Sequence, residues 1–181
     1  IAWSEGKPYP MGMQIGDSFE KKLHGLLSRI TGKQAYFSYY STKKLLLYIT
    51  SLNPDVVHLG NLHGNYINLP KLLTYLSRNN IPTVLTLHDC WFYTGKCCHY
   101  TTAGCYKWMT ECGGCPKLKT ENISWFFDKT NLILKDKKRL FESIPYLAVV
   151  GVSDWITNEA SKSILSNAKV ITRIYNWVDL N

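Results

Sequence analysis

The sequence has no apolar run long enough to cross a bilayer. Its longest candidate, around Leu45–Ile49, falls far short of the roughly 20 residues a spanning helix needs. The opening Ile1-Ala2-Trp3-Ser4-Glu5-Gly6 lacks an initiator Met and the basic, apolar, small-residue succession of a secretory signal. There is no internal repeat and no low-complexity linker. G-x-G-x-x-G, G-x-x-x-x-G-K-[ST] and G-x-S-x-G are all absent, which removes the usual dinucleotide loop, nucleoside-triphosphate loop and serine-hydrolase elbow. Acidic residues are few: 13 Asp and Glu stand against 21 Lys and Arg, a net charge of +8. That balance suits an anionic partner such as nucleic acid, an anionic membrane surface or a phosphorylated substrate. A solvated basic surface with no partner satisfies the same count.

What remains is an ordinary globular composition. The 181 residues suffice for one domain with a sizeable core, and 45% hydrophobic against 19% charged residues rules against disorder. All six cysteines fall between Cys90 and Cys115. Disulfides that staple a secreted fold are usually spread along the chain, so the cluster points to a reducing, cytoplasmic setting with a metal site or buried thiols.

Hydrophobic spacing predicts a helix over 18–30, with Phe19, Leu23, Leu26, Leu27 and Ile30 on one face, and another over 42–51. Lys7-Pro8-Tyr9-Pro10 reads as loop. From Asn53 onward the chain alternates. Val56–Leu59 is a short strand, and Leu69, Leu72, Leu73 and Leu76 form a helical face opened by Asn68 and Pro70. Thr83–Leu87 is a strand, followed by a long Cys- and Gly-rich segment to about Thr120, then a helix over 129–143 and a strand over 146–150. Ser153 caps a helix to about Leu165, and Val170–Tyr175 is the last strand. This order predicts an α/β fold: a Rossmann-like parallel sheet with helices on both faces and a Cys-rich insertion.

In such a sheet, ligands bind beyond the carboxyl ends of the strands. That rule selects Asn61 and His63 after the first strand, and His88, Asp89 and Trp91 after the second. It selects Ser153 at a helix N-terminus after the third, and Asn176 after the last. His88 and Asp89 are adjacent, so their side chains point to opposite faces and serve different ends. In the segment C97-C98-H-Y-T-T-A-G-C105-Y-K-W-M-T-E-C112-G-G-C115-P, the pair Cys112 and Cys115 has metal-knuckle spacing. Cys97 (or Cys98) and Cys105 would complete a structural zinc site; buried reduced thiols are the alternative.

The runs NPDVVHLGNLHGNYIN (53–68), PTVLTLHDCWFYTGKC (82–97), GCYKWMTECGGCPKLK (104–119) and VVGVSDWI…VITRIYNWVD (149–179) together resemble the N-terminal half of family 4 glycosyltransferases. The likeness is to those that build colanic acid, capsular and other surface polysaccharides. It implies that 1–181 is a partial N-terminal, acceptor-side domain of a GT-B fold, with a first strand and glycine loop expected before Ile1. A nucleotide-binding domain bearing an E-x7-E motif is expected after Asn181.

The resemblance further implies a retaining hexosyltransferase that uses a UDP- or GDP-sugar and needs no metal for chemistry. His88 lies at the reaction centre; Asn61, His63, Asp89 and Trp91 line the acceptor side, Trp91 by stacking on a sugar. Ser153 and Asn176 mark the anion and hinge rim. The implied acceptor is a lipid-linked saccharide or oligosaccharide, met at the inner face of the cytoplasmic membrane. The chain alone is expected to be inactive. Gly60 stands where the family often has a second His, and Trp177 where it has Gly. Two alternatives stay open: a basic zinc-knuckle module that binds nucleic acid, and another GT-B enzyme such as a sugar-nucleotide epimerase.

Overall fold

A computed structural model describes residues 2–3 and 12–177. The loop expected at Lys7–Pro10, and Val178 and Asp179 of the last junction, lie outside them. Two short segments, β1 (Ala2–Trp3) and β2 (Met13–Gln14), pair in parallel. Helices α1 (Ser18–Thr31) and α2 (Tyr39–Leu52) follow. The remainder is β3 (Val57–Leu59), α3 (Leu69–Arg78), β4 (Thr83–Leu87), α4 (Thr130–Glu142), β5 (Leu147–Gly151), α5 (Asp154–Ser161) and β6 (Val170–Arg173). The four strands form one parallel sheet in the order β3-β4-β5-β6. Leu59 pairs with Leu85, Leu87 with Gly151, and Gly151 with Arg173, so the carboxyl ends of all four share one edge.

The helices start where their caps dictate. The Asn68 side chain accepts from the Lys71 N–H at 3.0 Å, satisfying one of the free donors of α3's first turn. Leu69, Leu72, Leu73 and Leu76 are buried on one face, and each contributes roughly 1.5–3 kcal/mol relative to exposure. The start of α2 is capped from another helix: Glu20 of α1 accepts from the Tyr40 and Ser41 N–H groups, both at 3.0 Å. An anionic carboxylate there complements the helix dipole.

Thr83, Leu85 and Leu87 of β4 are buried, whereas Val84 and Thr86 on the other face are half-buried. One face of the sheet is therefore closed, and the other is only partly covered among the described residues. The expected helices flank the sheet, with its two faces covered unequally among the described residues. All three crossovers step the same way across the sheet, and right-handed crossovers then fall on a single face. The outer edge of β3 carries no strand among the described residues. Beside it opens a hollow of about 880 Å³ lined by Ile15, Leu45, Ile49, Val57 and Leu59.

Helix α1 forms where spacing predicts, but with its faces reversed. Phe19 is 76% exposed, and Leu23, Leu26 and Ile30 are exposed too, while His24, Gly25 and Ser28 are buried. Nδ1 of His24 lies 2.6 Å from the Ser38 hydroxyl, which in turn donates to the Asn65 carbonyl at 3.1 Å. The polar side of α1 is thus tied to the loops before α2 and α3, and its apolar side faces solvent.

Candidate functional site

The loops after β3 and β4 meet at the shared sheet edge. Nε2 of His63 lies 3.0 Å from Oδ2 of Asp89, close enough for an ion pair although the N–H is poorly aligned for a hydrogen bond. The His63 side chain is 33% exposed and that of Asp89 12%. The other Asp89 oxygen, Oδ1, accepts from the Trp91 N–H at 2.8 Å, a turn that aims the carboxylate back toward β3. Burial pushes the Asp89 pKa upward, but the His63 imidazole, the Trp91 N–H and the nearby His99 outweigh it. The net direction is down, and the carboxyl stays ionised at neutral pH.

Trp91 forms the floor. Its ring centroid lies 5.9 Å from that of His63, and its indole N–H donates to Oε1 of Gln34 at 2.7 Å. Gln34 donates in turn to the His63 carbonyl at 3.3 Å and to Oδ1 of Asn122 at 2.6 Å. Below the ring sits Lys137 of α4, wholly buried, with Nζ 3.7 Å from the ring centroid. Trp91 is only 1% exposed. The expected stacking of Trp91 on a sugar is therefore corrected: a ring covered on all sides has no face to offer, and it holds up the pair above it instead.

The other rim residues lie apart from this pair. His88 is exposed and makes no hydrogen bond among the described residues, while its neighbour Asp89 turns inward. Asn61 is exposed, and its carbonyl accepts from the Tyr66 hydroxyl. Ser153 caps α5, its hydroxyl accepting from the Ile156 N–H at 3.4 Å. Asn176 is exposed beyond β6. These residues follow the carboxyl ends of the same strands, but among the described residues none hydrogen-bonds to the His63–Asp89 pair through its side chain.

Sequence reasoning missed Gln34 and Lys137. Lys137 did leave a signal: it lies four residues after Ile133 and three before Leu140, a charge on the apolar face of α4. Gln34 left none, since it acts from a loop remote in sequence.

Cys98 approaches the pair. Its sulfur, a ligand nitrogen of His63 and a carboxylate oxygen of Asp89 all lie within 4.8 Å of one another. Burial, with Asp89 and Glu121 nearby, pushes the Cys98 thiol up to about 12. It stays protonated at neutral pH, unlike an activated nucleophile. The remaining loop cysteines gather elsewhere: Cys97, Cys105, Cys112 and Cys115 line one small cavity. The structure thus separates Cys97 from Cys98, which the sequence left as alternatives for that group.

The Rossmann-like parallel sheet thus carries a carboxylate–imidazole pair at its carboxyl edge, the edge where sheets of this class generally take their ligands. Over 105 residues, 55% of the chain, the protein is 32% identical to the putative colanic acid biosynthesis glycosyl transferase WcaC of Escherichia coli (strain K12). That match covers 25% of the relative. Over 69 residues, 36% of the chain, it is 33% identical to the glutamine-hydrolyzing GMP synthase of Agrobacterium fabrum (strain C58 / ATCC 33970), covering 13% of that protein. The chain therefore spans about a quarter or less of the length of the relatives it matches. No family model matches the chain. No solved structure matches it. No helix among the described residues is long and apolar enough to cross a membrane.

Proposed function

We propose that this chain is the acceptor-side domain of a surface-polysaccharide glycosyltransferase, of family 4 and GT-B architecture. One observation carries the binding site. The loops after two adjacent parallel strands bring His63 and Asp89 within 3.0 Å at the sheet's carboxyl edge. An ionised carboxylate beside a half-exposed imidazole supplies acceptors and a donor suited to saccharide hydroxyls. The partial similarity to WcaC supports the class of reaction.

In this reading the enzyme transfers a hexose, with retention, from a UDP- or GDP-sugar to a saccharide acceptor. His63 and Asp89 hold acceptor hydroxyls, with Asn61 beside them. His88, open to solvent on the same edge, faces the donor sugar as positive charge develops there. The protein's part is positioning and charge stabilisation. Ser153 and Asn176 edge the cleft toward the diphosphate. The main diphosphate contacts belong to a second domain, so these residues alone bind acceptor without measurable turnover.

A lipid-linked acceptor at an anionic membrane fits one surface. At the C-terminal end of α1 lie Trp125, Phe126 and Phe127, all exposed, with the Trp125 N–H donating to the Arg29 carbonyl at 2.7 Å. Lys129 stands 5.6 Å from the centroid of the Phe127 ring. Apolar rings flanked by cations suit the interface of an anionic bilayer.

Ligand-observed NMR with detergent-dispersed lipid-linked oligosaccharides tests the reading. Saturable binding is expected, weakened roughly tenfold or more by His63→Ala and by Asp89→Asn. Binding indifferent to both substitutions, or salt-sensitive binding of mixed oligonucleotides in its place, would overturn it.

A further inference from the structure

The loop between β4 and α4 contains three short helical turns and no strand. A long segment of this kind has little regular hydrogen bonding of its own and needs other ties. Some are visible: the Asp128 carboxylate accepts from the Cys115 N–H at 2.7 Å, and the Asn131 amide donates to the Cys112 carbonyl at 2.9 Å. Disulfides are not among them, because all six cysteines are free.

Four of those cysteines converge. Cys97, Cys105, Cys112 and Cys115 line one cavity of about 20 Å³, the room of a single water-sized sphere. Gly113 and Gly114 take φ of 139° and 53°, angles open to glycine, and the turn they make sets Cys112 and Cys115 on the same wall. The backbone amides of Gly95 and Lys117 lie near the sulfurs of Cys112 and Cys115 and favour their thiolate forms. Amide donors to sulfur are the usual outer support of a metal-bound thiolate. Two lysines line the same cavity. Nζ of Lys96 is held by the Leu118 and Asn122 carbonyls at 3.0 and 3.2 Å, and Nζ of Lys107 by the Gly113 carbonyl at 2.9 Å. Trp108, also on the wall, keeps a buried indole N–H without a hydrogen-bond partner among the described residues.

We propose that Cys97, Cys105, Cys112 and Cys115 bind one zinc ion as a tetrathiolate that staples this loop. Four Zn–S bonds form and four thiol protons pass to solvent. The resulting unit carries two negative charges, and the ammonium groups of Lys96 and Lys107 lie on the cavity wall to balance them. No three of the four sulfurs lie within 4.8 Å of one another. Zn–S bonds of about 2.3 Å place tetrahedral sulfurs about 3.8 Å apart, so metal binding draws the cavity walls inward.

His63, Asp89 and Cys98 form the competing donor set. They offer three unlike donors, and their carboxylate is already engaged by the imidazole and the Trp91 N–H. Four cysteine sulfurs around one small cavity are the better match to zinc.

Metal analysis of the whole chain, purified under reducing conditions, is expected to find one zinc per protein. Cys105→Ser and Cys112→Ser should each lower retained zinc roughly tenfold or more, while Cys98→Ser and His63→Ala keep it. In case a serine variant fails to fold, cobalt added to metal-free wild type reads the ligands directly. An intense sulfur-to-cobalt charge-transfer band with tetrahedral d–d bands is expected. Absence of zinc from both purified and zinc-reconstituted protein would sink the proposal. So would loss of zinc with Cys98→Ser or His63→Ala alone, or a cobalt spectrum of mixed nitrogen and oxygen ligation.

Discussion

The ammonium of Lys137 lies 3.7 Å from the centroid of the Trp91 ring and donates to the Trp91 and Thr94 carbonyls at 2.5 and 3.0 Å. One buried amine thus fixes the floor of the candidate site from below and ties α4 to the loop that carries Asp89. Lys137→Met keeps the length and apolar stem but leaves two buried carbonyls without their donor. The expected cost is about 1–3 kcal/mol, read as a lower denaturant midpoint at unchanged m-value. Burial also pushes the Lys137 pKa down, to about 7, from 10.5. Between those values the unfolded chain holds a proton that the folded chain has released, so this residue makes stability rise with pH across the window. The variant should lack that rise; an identical pH slope in both proteins would refute the assignment.

His24 gives a second titration, in acid. It is 1% exposed, and burial lowers its pKa from 6.5 to about 4. The folded chain keeps this imidazole neutral while the unfolded chain protonates it. Its contribution is therefore complete above pH 6.5 and lost as pH falls toward 4. Thermal melts of wild type and His24→Gln over that range should converge as the pH drops, because only the wild type carries this term. Parallel curves would count against it.

Gly151 ends β5 against the first turn of α5. A Cβ there would meet Oγ1 of Thr157 at 2.1 Å and the Thr157 N at 2.9 Å. The Thr157 hydroxyl is itself engaged, donating to the Ser153 carbonyl at 2.8 Å, so it has no free direction to retreat. Gly151→Ala is expected to cost about 1–3 kcal/mol by overpacking, a fall of several degrees in Tm. A Tm unchanged within a degree would show that the α5 start yields more easily than its hydrogen bonds indicate.

The exposed side of α1 with Trp125–Phe127 makes a prediction about membranes. Sedimentation should carry more protein with anionic than with neutral vesicles, and added salt should reduce the difference. Phe19→Ser with Phe126→Ser should weaken vesicle binding several-fold. Their effect on stability should stay small, since the two rings are 76% and 68% exposed. Equal sedimentation with both vesicle types would remove the electrostatic part of the reading.

Much of the fold was legible in the chain. Thr83–Leu87 is β-branched and apolar, and it is the strand β4. Asn68 caps α3, and Ser153 caps α5, as their residue types require. The candidate site was legible in part, because the strand-end rule pointed to His63 and Asp89 and the structure joins them. The same rule could not tell that Trp91 turns under the sheet edge while His88 stays outside. Neighbouring residues in a loop obey no fixed alternation, so their directions follow from what packs around them. Helix α1 failed in an instructive way: its spacing revealed an apolar side but not whether anything covers it.

The sequence by itself determined the alternation of strand and helix, the helix caps, and the gathering of cysteines between two elements. Those properties depend on residue type and on neighbours a few positions away. The tertiary structure alone decided that Cys97 and not Cys98 joins the other three thiols, that a lysine of α4 supports Trp91, and that Gln34 ties this floor to His63. Each of these is a contact between segments far apart in the chain. Local propensity carries no information about such partners until the sheet has assembled and brought the loops to one edge.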